Sequence, residues 1–221
     1  MKAATATRTR SRSGSGEGRA ALLTAARELL SEHGGSRFSL ASVAKRAGMN
    51  IALISYYFGG KEQMLLEILN EDEEVVFRPL AQLSAADLPA FKKLERYLSG
   101  VVELYARRPY LNILTHDLLR RSDDDTARRI AARVVTPVID FHRALLAQGK
   151  AEGVFRDVDP FAFYLNVMGG VDMLFAARAT IEHGFGYRMN DADLRKRFVR
   201  ETLAIVTHGV ATSPPPKTPE S

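Results

Sequence analysis

The sequence predicts an all-α fold, because helical periodicity covers nearly the whole chain. From about Gly18 onward, apolar residues recur at spacings of three and four, and no segment sustains the two-residue alternation of a half-buried strand. β-Branched residues rarely cluster, which also argues against strands. Short helices are expected before Pro79 and long ones after it, so a small helical domain should precede a larger helical bundle.

The composition indicates a folded protein without thiol chemistry. The chain has 221 residues with 46% hydrophobic content, enough for a real core, and it has no cysteine, which excludes disulfides and thiolate metal sites. Its net charge of +5 favours anionic partners such as nucleic acid. Residues 1–19 lack an apolar run, and Asn166 and Asp172 interrupt the most apolar stretch, so we expect a cytoplasmic protein without a membrane span.

The first four predicted helices are bounded by capping residues. Gly34 and Gly35 end the first helix, since glycine accepts the left-handed cap conformation. Ser39 is a good N-cap for the second helix, and Gly48 stops it. Asn50 is suited to cap the third helix. These helices are predicted over Arg19–His33, Leu40–Ala47, Ile51–Tyr57 and Lys61–Arg78.

The helices that follow have lengths typical of a bundle. They are predicted over Pro89–Arg107, Tyr110–Arg121, Thr126–Lys150, Asp159–Glu182 and Asp191–His208. Pro137, inside the third of them, implies a kink or a break. Residues 212–221, TSPPPKTPES, should form a disordered tail, because proline and polar residues do not build a core.

The second and third predicted helices match a helix-turn-helix. A short turn containing Gly48 separates them, and in this motif the second helix lies in the DNA major groove. A helix over Ile51–Tyr57 spans only about 10 Å, close to the width of that groove. Because the phosphates begin where such a helix ends, the hydroxyls of Tyr56 and Tyr57 and the ammonium of Lys61 are placed to contact them.

These residues resemble the TetR-like family of bacterial transcriptional repressors. The resemblance is specific over roughly Gly18 to Leu69, and beyond it only the helical character, the length and the segment GVFRDVDP agree. It implies a dimer that binds a palindromic operator, with recognition helices about 34 Å apart. The residues that carry it are Phe38, Ser39, Val43, Ala44, Ala47-Gly48-Met49, Ile54 and Tyr56-Tyr57-Phe58-Gly59-Gly60-Lys61-Glu62.

The resemblance also implies which side chains contact DNA. Two departures stand out: Ser55 occupies a position where tyrosine is usual, and the base-contacting positions hold apolar residues. Apolar side chains argue against bidentate hydrogen bonds to guanine or adenine and favour contacts with thymine methyl groups. The implied base contacts are Ile51, Ala52, Leu53 and Tyr56, and the implied phosphate contacts are Ser39, Ser42, Ser55, Tyr57 and Lys61, with Asn50 beside them.

Two structural alternatives accompany this interpretation. Ile54 and Phe58 are expected in the core, where they complete the packing of three helices. Ile51, three residues before Ile54, could also pack inward. Tyr56 and Tyr57 could be ordinary surface residues, although two adjacent rings before Phe-Gly-Gly-Lys favour a role in binding.

The leader over residues 1–17 is expected to be a flexible basic arm. Arg8, Arg10 and Arg12 could enter the minor groove beside the helix-turn-helix, as arms of other DNA-binding folds do. The alternative is a solubilising tail without DNA contacts, and the sequence leaves both open.

The long helices after residue 62 are expected to dimerise the protein. Two C-terminal helices would form a four-helix bundle with those of a second subunit, and Gly169 and Gly170 would allow close approach. The alternative is packing within one subunit. The predicted interface residues are Phe161, Gly169, Gly170, Met173, Leu194, Phe198, Leu203 and Val206.

The remaining long helices carry aromatic residues with a few polar groups, which suits a pocket for a small-molecule effector but also an ordinary core. The resemblance favours the pocket. We predict no metal, cofactor or catalytic residue, and the sequence lacks the motifs of common enzymes, so a helical adaptor or enzyme is the weaker alternative. The predicted domains are 18–62 for DNA and 63–211 for effector and dimer. The predicted effector contacts are Tyr105, Tyr110, Leu114, His116, Asp117, Phe141, His142, Tyr164 and Met168.

Overall fold

The computed structural model describes residues 10–177, 179–188 and 191–211, without the side chains of residues 10–15. Within these ranges the chain is helical, which confirms the predicted all-α class. Short π-helical segments occupy Ala131–Val135 and Thr180–Gly184. The α-helices are α1 Arg10–His33, α2 Leu40–Ala47, α3 Ala52–Phe58, α4 Lys61–Ala85, α5 Ala90–Arg107, α6 Leu111–Arg121, α7 Asp124–Ile130, α8 Thr136–Ala151, α9 Pro160–Ala176 and α10 Ala192–Val210.

The chain divides into two compact units. The first contains residues up to Glu73 together with Pro109–Ala127, so α6 belongs with the N-terminal helices. The second contains Glu74–Arg108 and the residues from Arg128 onward. Sequence reasoning placed a single boundary after residue 62 and did not foresee that a later helix joins the first unit.

The helix α2 has the predicted bounds and the predicted caps. Ser39 precedes it in extended conformation, and its side chain accepts a hydrogen bond from the Ser42 amide. Gly48 ends it in the left-handed conformation, with a φ of 65°, and donates its amide to carbonyls of the last turn. The capping residues therefore determine this element locally.

The largest differences from the predicted helix bounds are at the start of α1 and the end of α4. The helix α1 begins at Arg10, whereas Arg19 was expected because glycine and serine are poor helix formers. Pro79 lies inside α4, although the helix was predicted to end before it. Leu80 and Leu83, which follow Pro79, pack against the core of the second unit, and this burial offsets the hydrogen bond that proline removes.

The regular α-helix is interrupted just before Pro137, where a kink or a break was predicted. The chain changes from α7 to a π-helical segment over Ala131–Val135 and then to α8, where Pro137 lies in the first turn. The Thr136 amide donates to the Ala131 carbonyl in the π-helical pattern, so Pro137, which has no amide hydrogen, lies where the α-helical hydrogen bonds are already interrupted.

The core of the second unit joins α5, α8, α9 and the end of α10. Phe155, in the joint between α8 and α9, is 1% exposed and lies against Gly149, where a Cβ atom would come within 2.0 Å of the ring. The Arg156 amide donates to the Val210 carbonyl at 2.7 Å, which holds the end of α10 to this joint. In the part of the chain that the structure describes, no helix is long and apolar enough to cross a membrane.

Candidate functional site

The turn between α2 and α3 is held by local hydrogen bonds. The Asn50 Oδ1 atom accepts from the Ala52 amide at 2.9 Å, which closes a turn at Ile51 and starts α3 one residue later than predicted. Gly59 ends α3 in the left-handed conformation, with a φ of 76°. The recognition helix is therefore a separate seven-residue segment bounded on both sides.

The helix α3 has one buried face and one exposed face. Ile54 is fully buried and Phe58 is 7% exposed, which confirms their predicted place in the core. On the opposite side, Ile51 is 48% exposed and Tyr56 is 79% exposed. Ala52 and Ser55 are also exposed, and Leu53 is half-buried. The candidate base contacts thus lie together on the surface, and Ile51 does not pack inward.

Tyr57 lies between the surface and α1. It is half-buried, and its ring meets Tyr56 edge to face at 5.1 Å between centroids. A Cβ atom added at Gly18 would lie 3.4 Å from the Tyr57 hydroxyl and 2.8 Å from the Met49 side chain. The helix α1 therefore approaches the end of the recognition helix closely at Gly18, and a side chain there would require the flexible end of Met49 to move.

Lys61 contacts the loop that precedes α2. Its ammonium donates to the carbonyls of Ser36 and Phe38 and lies 4.6 Å from the centre of the Phe38 ring. Burial, together with the nearby charge of Arg121, lowers the pKa of this ammonium. A phosphate contact by Lys61, which stays a prediction, would have to compete with these carbonyls.

The helix α6 carries a buried acidic group into the same region. Asp117 accepts hydrogen bonds from the Ser36 hydroxyl and from Arg120, and Arg121 lies 2.8 Å away. Burial alone would raise the pKa of Asp117, but the hydrogen bonds from Ser36 and Arg120 and the charge of Arg121 lower it. Asp117 thus ties α6 to the loop before α2.

A second buried contact joins the residue before α6 to α4. The Tyr110 hydroxyl donates to Asp72 at 2.7 Å, and both side chains are buried. Leu114 is buried as well, whereas His116 is exposed. The predicted effector residues on and before α6 therefore belong to the first unit, and Tyr110 and Asp117 are engaged within it.

Four of the other predicted effector residues, His142 among them, gather in one cluster of the second unit, whereas the Tyr105 ring meets Phe175 edge to face at 5.8 Å between centroids. The His142 ring is fully buried and meets Tyr97 and Phe163 edge to face at 4.9 and 5.0 Å between centroids. Among the described residues, neither of its ring nitrogens has a hydrogen-bond partner. Burial lowers the pKa of His142 to about 4, so the ring is neutral at pH 7. We call this group of side chains the His142 cluster; it contains Tyr97, Phe141, His142, Phe163, Tyr164 and Met168.

Tyr97 is a member of this cluster that sequence reasoning missed. Its hydroxyl donates to the Met168 sulfur at 3.0 Å, and burial raises its pKa. Burial and the nearby charge of Asp172 likewise raise the pKa values of Tyr105 and Tyr164. Helical periodicity could have identified Tyr97, because it lies eight residues, or about two turns, before Tyr105 on the same face of α5. In the same way, Asp172 lies four residues after Met168 on α9.

Comparison with known proteins identifies the family. The model described as the C-terminal domain of tetracyclin repressor-like proteins matches residues 87–214, more than half of the chain. The chain belongs to the TetR family. The model described as bacterial regulatory proteins of the tetR family also matches residues 22–68, which cover the second half of α1, all of α2 and α3, and the start of α4.

Individual relatives of this TetR-family chain were found in sequence and in structure. The chain is 39% identical over 86 residues to the HTH-type transcriptional regulator BetI of Agrobacterium fabrum, and this match spans 39% of the chain and 40% of that protein. In fold it is similar to the regulator FadR of Bacillus subtilis, solved with stearoyl-CoA, at a TM-score of 0.61 and 20% identity, covering 83% of the chain and 97% of FadR. It is also similar to AibR, solved with isovaleryl coenzyme A and operator DNA, at a TM-score of 0.68 and 19% identity, covering 85% and 96%.

The helix α9 of this TetR-family chain has an exposed apolar stripe. Phe161, Leu165 and Met173 are 68%, 50% and 60% exposed, and their spacing places them on one face. Gly169 lies between them, with no described atom within 4 Å of the position of a Cβ atom. We call these residues the α9 stripe.

The predicted interface residues of α10 are more buried than those of the α9 stripe. Leu194 is buried, and Phe198, Leu203 and Val206 pack partly buried against the core of their own unit. Gly170 also faces inward, since its Cβ position is 3.9 Å from Phe198. Ile205, which sequence reasoning did not select, is 72% exposed and is the apolar side chain that α10 presents outward.

The predicted basic arm falls mostly outside the described part of the chain. Arg8 precedes the described residues. Arg10 and Arg12 belong to α1, but the structure describes only their backbone and not their side chains. The minor-groove contact therefore stays a prediction.

Proposed function

We propose that this chain is a ligand-responsive transcriptional repressor that acts in the cytoplasm. It binds a palindromic operator as a homodimer and releases it when a small-molecule effector binds. The observation that carries the proposal is the exposure of Ile51, Ala52 and Tyr56 on a short helix whose other face is buried. Membership of a family of bacterial regulatory proteins supports it, and we propose no catalytic role.

The first unit supplies DNA binding. The exposed face of α3 would lie in the major groove, which admits a helix, while hydroxyls beside it contact phosphates. Ser55 and Tyr56 are both exposed on this face. A net charge of +5 favours approach to DNA.

The α9 stripe and Ile205 supply the dimer contact. Large apolar side chains that are at least half exposed and share one face of a helix are typical of surfaces that bind protein. A twofold contact would bury the stripe of each subunit against that of the other, with Gly169 allowing close approach. We therefore assign Ile205, in place of the inward-facing Leu203 and Val206, to the interface on α10.

The His142 cluster is the proposed place of effector binding. A neutral imidazole has one donor and one acceptor nitrogen, and burial without partners leaves both unsatisfied at a cost of about 1–3 kcal/mol each. An effector with a complementary polar group would remove that cost. Because two regulators of similar fold were solved with acyl-coenzyme A compounds, such thioesters are the first effectors to test.

Effector and operator binding would be coupled. An effector that favours a dimer with mis-spaced recognition helices weakens operator binding, and by linkage the operator weakens effector binding. A coupling free energy of about 1–3 kcal/mol is sufficient. In the first unit, the contact of Asp117 with Ser36 joins α6 to the loop that caps α2, so a movement of α6 would reach the DNA-binding helices.

Selection of bound fragments from a random DNA pool tests the proposal. The full chain should enrich a twofold-symmetric site whose half-sites lie about one helical turn apart. The variant Tyr56→Ala, which changes an exposed side chain, is carried through the same selection and should enrich the site poorly. If no sequence is enriched at low or high salt, the chain is not a DNA-binding regulator, and a protein-binding adaptor becomes the better explanation.

A further inference from the structure

The polar groups around α3 are largely used within the protein. The Ser39 side chain accepts from the Ser42 amide, and the Ser42 hydroxyl donates to the Ser39 carbonyl at 2.6 Å. The Asn50 Oδ1 atom accepts from the Ala52 amide, and the Lys61 ammonium donates to two loop carbonyls. These interactions hold the helix-turn-helix together, and they reduce what the same groups offer to base edges.

The surface that remains for the bases is mainly apolar. Residues 51–58 contain no charged residue and no amide side chain, so they lack the groups that form bidentate hydrogen bonds with guanine or adenine. Ile51 is 48% exposed and Tyr56 is 79% exposed, and Ala52, one turn before Tyr56, is exposed on the same face of α3. In the major groove, the apolar feature that such side chains contact is the C5-methyl group of thymine.

We propose that this chain recognises its operator through C5-methyl groups, with Ile51, Ala52 and Tyr56 as the specificity-determining residues. The inference rests on the proposed DNA binding and adds the chemistry of recognition. It also has a consequence for modified DNA. Because 5-methylcytosine carries its methyl group at the same ring position as thymine, an operator with 5-methylcytosine at a contacted thymine should keep part of the affinity that unmodified cytosine loses.

Base analogues in the selected operator test this proposal with the full chain. Uracil replaces each thymine of a half-site in turn, which removes one methyl group and leaves the base pair and the phosphates unchanged. Each contacted methyl should be worth about fourfold in Kd, the effect of burying one such group. Cytosine at the same position should weaken binding, and 5-methylcytosine should restore about fourfold of that loss. Fluorescence anisotropy measures the Kd values.

A matched pair of variants assigns the contact to the recognition helix. Ile51→Ala should remove the response to uracil at the thymine that Ile51 contacts. Val75→Ala is the control, since Val75 is 47% exposed on α4 and nearly matches Ile51 in exposure. With the control protein, every uracil response should equal that of the unchanged chain.

The outcomes separate this inference from the proposed function. If an operator is enriched but uracil at every thymine leaves Kd unchanged, methyl recognition is refuted while DNA binding stands. A loss of affinity with 7-deazaguanine in place of guanine, without any uracil effect, would show polar recognition by other groups and would also refute it. Failure to enrich any operator would refute the proposed function itself.

Discussion

The recognition helix and the His142 cluster differ in whether their polar groups have hydrogen-bond partners within the protein. Around α3, the side chains of Ser39 and Asn50 satisfy backbone amides, and the exposed face is formed without an external partner. In the second unit, His142 is fully buried, and the described residues leave both of its nitrogens without hydrogen bonds. The first surface is complete before DNA arrives, whereas the second is stabilised by any ligand that supplies the missing hydrogen bonds.

The largest expected effect separates the two faces of α3. Phe58→Ala should destabilise the first unit by about 3–5 kcal/mol, because it removes a ring that is 7% exposed and leaves a cavity. Tyr56→Ala, at a side chain that is 79% exposed, should change the free energy of unfolding by no more than about 0.5 kcal/mol while weakening operator binding. Urea unfolding and anisotropy measure the two quantities. Equal destabilisation by both changes would contradict the assignment of the faces.

The next effect concerns the α9 stripe. Met173→Glu places a charge on a side chain that is 60% exposed, so the subunit should still fold, but the dimer should dissociate. Operator affinity should fall about 100-fold, because two half-sites are then no longer bound by one particle. Sedimentation velocity and anisotropy measure this. Val75→Glu, an acidic change at another exposed apolar residue, is the control, and dissociation by both variants or by neither would argue against the stripe.

The smallest expected effect is a pH dependence of stability from His142. Its pKa is about 4 in the folded protein and about 6.5 in the unfolded chain, so the unfolded state binds the proton more tightly. The stabilising contribution is complete above pH 6.5 and is lost as the pH falls toward 4, on the order of 2 kcal/mol at pH 5.

His142→Leu should flatten this part of the stability curve and should also abolish the response to an effector that binds the ring. His33→Gln, at an exposed histidine, is the control and should keep the slope of the unchanged chain. Urea unfolding at pH 7 and pH 5 gives the difference. The same slope in both variants would show that His142 does not titrate as described.

The elements that follow from local sequence were predicted well. The bounds of α2 and its caps at Ser39 and Gly48 are confirmed, because capping depends on residues within one turn. The π-helical interruption before Pro137 lies where that single residue predicted a kink or a break. The passage of α4 through Pro79 was not predicted, since it depends on a distant core that accepts Leu80 and Leu83.

In the candidate sites as well, features that depend on local sequence were predicted and features that depend on distant contacts were not. Periodicity identified Ile54 and Phe58 as core residues, and their positions left Tyr56 outward. Periodicity did not show that Asp117 and Tyr110 are engaged in the first unit, or that Leu203 and Val206 face inward while Ile205 is exposed. An apolar face of a helix does not specify which neighbour covers it.

By itself the sequence determined the helical class, the capped helix-turn-helix and the family, because these depend on periodicity, on capping residues and on a short contiguous motif. Only the tertiary structure decided that α6 joins the first unit, that His142 is buried without hydrogen-bond partners among the described residues, and which apolar side chains of α9 and α10 remain exposed. These features arise from contacts between residues far apart in the chain, and a local sequence pattern does not specify which distant residues pack against each other.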